Sequence, residues 1–219
     1  MGKRITLIHA MPVSIPPILE AFQEGWPEAE IGNLLDDGLT AALQREGGLT
    51  TGIVARICDL AAFATRNGAD GILFTCSAFG PAINVARQLV SIPVLNPDEA
   101  MIAAALGAGT RVGVVVTLAA FAPASASQLH AAAAARGGAV EVHTSVAAGA
   151  LAALNVGDPA AHDRLVAEAA EVLAGRVDVI CLDQFSMARA RATVQARVTA
   201  PVLTGPATAV ARLKALLNA

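Results

Sequence analysis

Tyrosine is absent from this chain of 219 residues, tryptophan occurs once, and aromatic residues make up only 3%. So little aromatic surface leaves few faces for stacking bases, and a net charge of −3 supplies no basic patch, which argues against nucleic acid as a partner. Cysteine is also scarce: Cys58, Cys76 and Cys181 form an odd set with no CxxC pair, so neither a disulfide framework nor a zinc site is expected. The acidic pair Asp36–Asp37 has no histidine at ligand spacing, and no metal or cofactor is expected. Charged residues are few at 15%, yet no apolar run approaches the ~20 residues that a membrane span needs. The first strand begins almost at once, at Ile5, which argues against a signal peptide and makes a reducing cytoplasm the default expectation.

What is present is ample apolar content, 55%, mostly alanine and valine, enough for the core of one large domain or two small lobes. One stretch organises the rest. Gly71-Ile72-Leu73-Phe74 reads as a buried strand that delivers Thr75-Cys76-Ser77 to the start of a helix, with Pro81 suited to its first turn. A thiol at that junction meets backbone N–H groups and the positive end of a helix dipole, a setting expected to lower its pKa.

The stretch has an echo. Asp70 stands over Asp178, Ile72 over Ile180 and Pro93 over Pro201 at one constant spacing without a gap, and the strand at Arg4–Ile8 resembles that at Arg111–Val115. The chain therefore reads as two related halves. Opposite Cys76 in this alignment stands Gln184.

Short apolar strands at 4–10, 30–34, 71–74, 94–95, 111–116, 140–143, 179–182 and 202–203 alternate with helices, notably 49–67, 78–90, 97–107, 121–136, 160–174 and 206–217. This pattern predicts an α/β fold of two similar lobes, each a parallel sheet flanked by helices. The expected boundaries are 1–96 for the first lobe, completed by a helix at 205–219, and 97–204 for the second. Ligands of parallel sheets bind beyond the C-terminal strand ends. If the lobes face each other about a pseudo-dyad, those ends share a cleft. His9, Met11, Ser14, Asp36, Thr75, Cys76, Ser77 and Asn96 are its candidates from one half, and Thr117, Asp183 and Gln184 from the other.

Taken together, the length, the two-lobe repeat and the cysteine at the first strand–helix junction resemble the aspartate/glutamate racemase superfamily, with its hydantoin racemase, maleate isomerase and arylmalonate decarboxylase branches. Thr75-Cys76-Ser77 is similar to the first cysteine motif of that family. The segment Ile180–Ala188, with Ser186 as a candidate binding residue, is similar to the second, where racemases carry another cysteine at the position of Gln184. The resemblance implies cofactor-free chemistry at the carbon α to a carboxylate, with Cys76 as acid/base and backbone amides and hydroxyls holding the charge.

The departure at Gln184 removes the second thiol, and Cys181, three residues earlier on the strand, points to the other face. An amide can hold a carboxylate oxygen but cannot take a proton. The readings left open are racemisation with Asp183, His9 or water as second base, isomerisation in which the Cys76 thiol adds to an alkene as the resemblance to maleate isomerases implies, a decarboxylase with Cys76 as sole proton donor, a non-catalytic carboxylate binder, and a hydrolase in which His9 would activate the thiol. The scarcity of Arg and Lys at strand ends predicts an uncharged or apolar group on the substrate. The sequence leaves the assembly open between a monomer, a homodimer, which is common in families of this kind, and a higher homo-oligomer.

Overall fold

A computed structural model describes residues 2–218, and the chain divides into two compact units: Met1–Glu99 with Ala209–Ala219, and Ala100–Thr208. The first unit holds the strands β1 (Arg4–His9), β2 (Glu30–Leu35), β3 (Gly71–Phe74) and β4 (Val94–Leu95), all parallel, in the order β2-β1-β3-β4. The second holds β5 (Arg111–Val116), β6 (Glu141–Val146), β7 (Val179–Leu182) and β8 (Val202–Thr204), also parallel, in the order β6-β5-β7-β8. The two orders are the same once the numbering of the second set is shifted by four, so the repeat seen in the sequence is a repeat of topology.

The central strands form because their side chains are apolar on both faces. Gly71–Phe74 and Val179–Leu182 are buried throughout, as parallel strands covered by helices must be. In the first unit the covering helices are α1 (Ile15–Gly25), α2 (Gly38–Glu46), α3 (Thr51–Arg66) and α4 (Gly80–Leu89). Thr50 caps α3 by accepting from the N–H of Ile53, and the helix stops at Asn67 before Gly68, whose φ of +79° suits glycine. The second unit has α5 (Glu99–Ala108), α6 (Ala122–Ala135), α7 (Ala150–Asn155), α8 (Pro159–Glu171) and α9 (Arg191–Gln195). There Asp158 caps α8 by accepting from the N–H of Ala161 at 2.9 Å. The last helix, α10 (Gly205–Asn218), begins in the second unit and ends in the first, where a Cβ added at Gly71 would come within 3.1 Å of Leu213 and Leu217. Glycine at the head of β3 lets that helix lie close on the sheet.

The same brace closes both sheets at their N-terminal edge. The N–H of Arg4 donates to the Asp70 carboxylate at 2.8 Å, and that of Arg111 to Asp178 at 2.9 Å. Each aspartate N–H returns a bond of 2.7 Å to the arginine carbonyl.

Three details differ from expectation. Helices α2 and α7 occupy segments to which the sequence assigns no element. The sixth strand spans 141–146 rather than 140–143, because Thr144, Ser145 and Val146 continue the register with Val114, Val115 and Val116. The helices after β3, β5 and β7 open as tight 3-10 turns, at Ser77–Phe79, Ala119–Phe121 and Phe185–Ala190. Among the described residues no helix is long and apolar enough to cross a membrane.

Candidate active site

Cys76 follows β3 in an extended conformation (φ −132°, ψ 116°) and heads the 3-10 turn Ser77–Phe79, with Pro81 in the first turn of α4. It is half-buried, whereas Ser77 beside it is exposed. The Ala78 N–H donates to the sulfur and lowers the thiol pKa, as the sequence leads one to expect. Burial acts in the opposite direction and is the larger cause, and the Asp98 carboxylate adds to it. The net shift is upward. The expected depressed thiol is thus corrected: the turn supplies one N–H, too little to offset desolvation, and Cys76 rests as a thiol able to donate a proton.

Thr75, one residue earlier, does not cap the turn. Its hydroxyl belongs to a buried polar cluster at the end of β1. The Nδ1 of His9 lies 2.9 Å from Thr75 Oγ1 and 3.3 Å from Ser14 Oγ, and the two hydroxyls are 2.9 Å apart. Ser14 also donates to the Met11 carbonyl at 2.8 Å, which ties the loop after β1 to the end of β3. On the far side of the ring, Nε2 donates to Asn33 Oδ1 at 2.9 Å, leaving Nδ1 as an acceptor for a hydroxyl. His9 is fully buried, and burial lowers its pKa, so the ring is neutral.

None of the hydrogen bonds of His9 goes to the Cys76 sulfur. The hydrolase reading, which needed His9 as the base of the thiol, loses its geometry. Asn33 escaped the sequence reading. Only the β1–β2 register, which pairs Leu7 with Asn33 and His9 with Leu35, brings it to the histidine.

The other expected residues of this unit occupy the same strand ends. Met11 is exposed, and Asp36 forms an ion pair with Arg56 while its N–H donates to the His9 carbonyl at 2.9 Å. Asn96, after β4, has a buried side-chain oxygen without a partner. Its amide nitrogen lies 3.0 Å from where a Cβ on Gly80 would stand, so it rests against the start of α4. A separate groove of about 380 Å³ opens at Arg4, Thr6, Glu30, Asn33, Phe63 and Asn67, away from the thiol.

In the second unit Gln184 holds the place of Cys76, extended (φ −91°, ψ 143°) at the head of its own 3-10 turn. Its side chain folds back: Oε1 accepts from the Thr117 N–H at 2.9 Å, and Nε2 donates to the carboxylate of Asp183. Burial raises the pKa of Asp183, and hydrogen bonds from the Ser125 hydroxyl and the Gln184 amide partly offset it. Ser186 is partly exposed in the turn, and Thr117 is buried. Cys181 is sealed in the apolar cluster of Val112, Val114 and Leu129, which pushes its thiol up to about 12 and leaves it inert. Among the described residues no group of three or more His, Cys, Asp or Glu is arranged to hold a metal ion.

Each of the two parallel α/β units thus follows its third strand with an extended residue at the head of a tight turn, one a thiol and the other an amide beside a carboxyl, so the fold is duplicated and carries ionisable side chains at its strand ends. The sequence model of the Asp/Glu/Hydantoin racemase family matches residues 38–213, and the chain belongs to that racemase family.

The fold is similar over 99% of this chain to allantoin racemase from Klebsiella pneumoniae, at 22% identity and a TM-score of 0.75, covering 88% of that chain. Aspartate racemase from Picrophilus torridus matches 99% of this chain and 95% of its own at 12% identity and a TM-score of 0.73. A variant of arylmalonate decarboxylase in a sulfate-associated form matches 98% of this chain and 93% of its own, at 15% identity and a TM-score of 0.68. At these identities the likeness speaks to the fold. No protein of curated function matches the sequence.

Proposed function

We propose that this protein is a cofactor-independent racemase that exchanges the proton on the α-carbon of a small carboxylate, with Cys76 as one acid/base. The observation that carries the reading is the half-buried thiol at the end of β3, with an N–H directed at its sulfur. Asp183 is proposed as the second acid/base, because Gln184 cannot accept a proton and Asp183 is the half-buried carboxyl that its amide holds.

In one direction the Asp183 carboxylate removes the α-proton, the electron pair enters the substrate carboxylate as an enediolate, and the Cys76 thiol returns a proton to carbon. Asp183 then carries the proton taken from the substrate and Cys76 is left as a thiolate, and the reverse reaction or exchange with water restores both. Hydrogen bonds to the enediolate lower the barrier because they strengthen as charge develops there. A reducing cytoplasmic setting belongs to the same proposal, since the thiol must stay free.

A second reading, a decarboxylase with Cys76 as the only donor, is favoured by one observation: the side chain opposite Cys76 in the repeat is an amide already bonded to Thr117 and Asp183. Proton NMR in D2O with a panel of amino acids, hydantoins, maleate and malonates separates the two. Racemisation predicts α-deuteration with inversion, abolished in Cys76→Ala and reduced in Asp183→Asn. Loss of CO2 with deuteration at one site, insensitive to Asp183→Asn, would replace the first reading by the second. Ligand-dependent thermal stabilisation without any exchange would make the protein a binder.

A further inference from the structure

Large apolar side chains are exposed at the C-terminal strand ends, and they recur at matching places in the two units. Met11 stands to Arg4 as Leu118 stands to Arg111, and both are 45% exposed. Leu35 ends β2 and Val146 ends β6, at 44% and 39% exposure. One exposed apolar residue needs no explanation, but a set repeated at the same register, on the rim where parallel sheets take their ligands, points to a ligand with apolar surface.

The charges on the same rim exclude the alternative. In the first unit the segments 10–14, 35–37, 75–78 and 96–98 contain no Lys or Arg, and they carry Asp36, Asp37 and Asp98. The arginine that reaches this edge, Arg56, is paired with Asp36. The Asp98 carboxylate lies close enough to Cys76 to favour the protonated thiol, after burial the second cause of its raised pKa. A second carboxylate on the substrate would enter that field without a cation to meet it, whereas an aliphatic or aryl group would cover Met11 and Leu35.

We propose that the ligand taken beside Cys76 is a monocarboxylate with a branched aliphatic or aryl group at its α-carbon, and that Met11 and Leu35 are the specificity-determining residues of the first unit. This rests on the proposed function for placing an α-carbon at the thiol.

The test is protection of Cys76 from iodoacetamide, read peptide by peptide by mass spectrometry, with leucine and phenylglycine set against aspartate and glutamate as probes. The apolar pair should protect at roughly tenfold lower concentration than the acidic pair. In Met11→Arg and Leu35→Arg, both at exposed positions that tolerate a long polar chain, the order should narrow or reverse. Equal or better protection by aspartate or glutamate in the wild type would overturn the inference, as would an unchanged order in both arginine variants or no protection by any probe. Apolar-selective protection without α-deuteration would sustain this inference while sinking the proposed chemistry, and α-deuteration confined to aspartate or glutamate would do the reverse.

Discussion

The Nδ1 of His9 sits 2.9 Å from the hydroxyl of Thr75, the residue that precedes the catalytic thiol candidate. Because Nε2 is committed to Asn33, this contact requires a lone pair on Nδ1, and protonation of the ring would remove the acceptor. The cluster therefore links the charge of His9 to the anchoring of the Cys76 strand end.

A pH dependence follows. The folded pKa of His9 is below the ordinary histidine value, so the unfolded chain binds the proton more readily. The stability from neutral His9 is fully present above the unfolded value of ~6.5 and is lost as pH falls through the folded one. Thermal melts from pH 7.5 to 5 should show a smaller decline for His9→Asn than for the wild type, from a lower starting melting temperature. Parallel declines would remove His9 as the group responsible.

The Cys76 thiol should alkylate with an inflection above that of free cysteine in the same buffer, since burial and Asp98 both raise its pKa. Asp98→Asn should move the inflection down by removing one of those causes. An inflection below free cysteine would show that the turn N–H outweighs burial after all.

Asp183→Asn should separate activity from stability. Its folded pKa is raised, so its contribution to stability is full below the unfolded pKa and is lost as pH rises through the folded one. At neutral pH the amide should therefore match or exceed the wild type in melting temperature. The rate of α-proton exchange should fall by about 10²-fold or more, the usual yield of a positioned acid/base. Unchanged exchange would assign the second proton transfer elsewhere.

Ile72 and Ile180 are equivalent, fully buried residues of β3 and β7. Truncation of either to alanine should cost about 2–5 kcal/mol in urea unfolding, a transfer loss plus a cavity. A cost below about 1 kcal/mol at either site would mean that its core relaxes around the void.

Much of this molecule can be read along the chain because the relevant physics is local. Apolar runs bounded by glycine, proline and capping residues announce the strands and the long helices, and the constant spacing from Asp70 to Asp178 announces the repeat. The fold confirms it in matching bonds: the Thr75 N–H meets the Ile8 carbonyl at 3.0 Å, and the Asp183 N–H meets that of Val115 at 3.1 Å. Helices α2 and α7 were missed because they are short, nine and six residues, and the local pattern over so few residues does not separate a helix from a loop.

Sequence alone determined the two α/β units, the thiol at the first strand–helix junction and the amide at its echo, since each depends on residue type and periodicity. Tertiary structure decided that His9 pairs with Asn33 and Thr75, that Gln184 turns back onto Thr117, and that the Cys76 thiol is raised rather than lowered. Those outcomes depend on strand register and on how completely each polar group is removed from water, and neither can be read from residues one at a time.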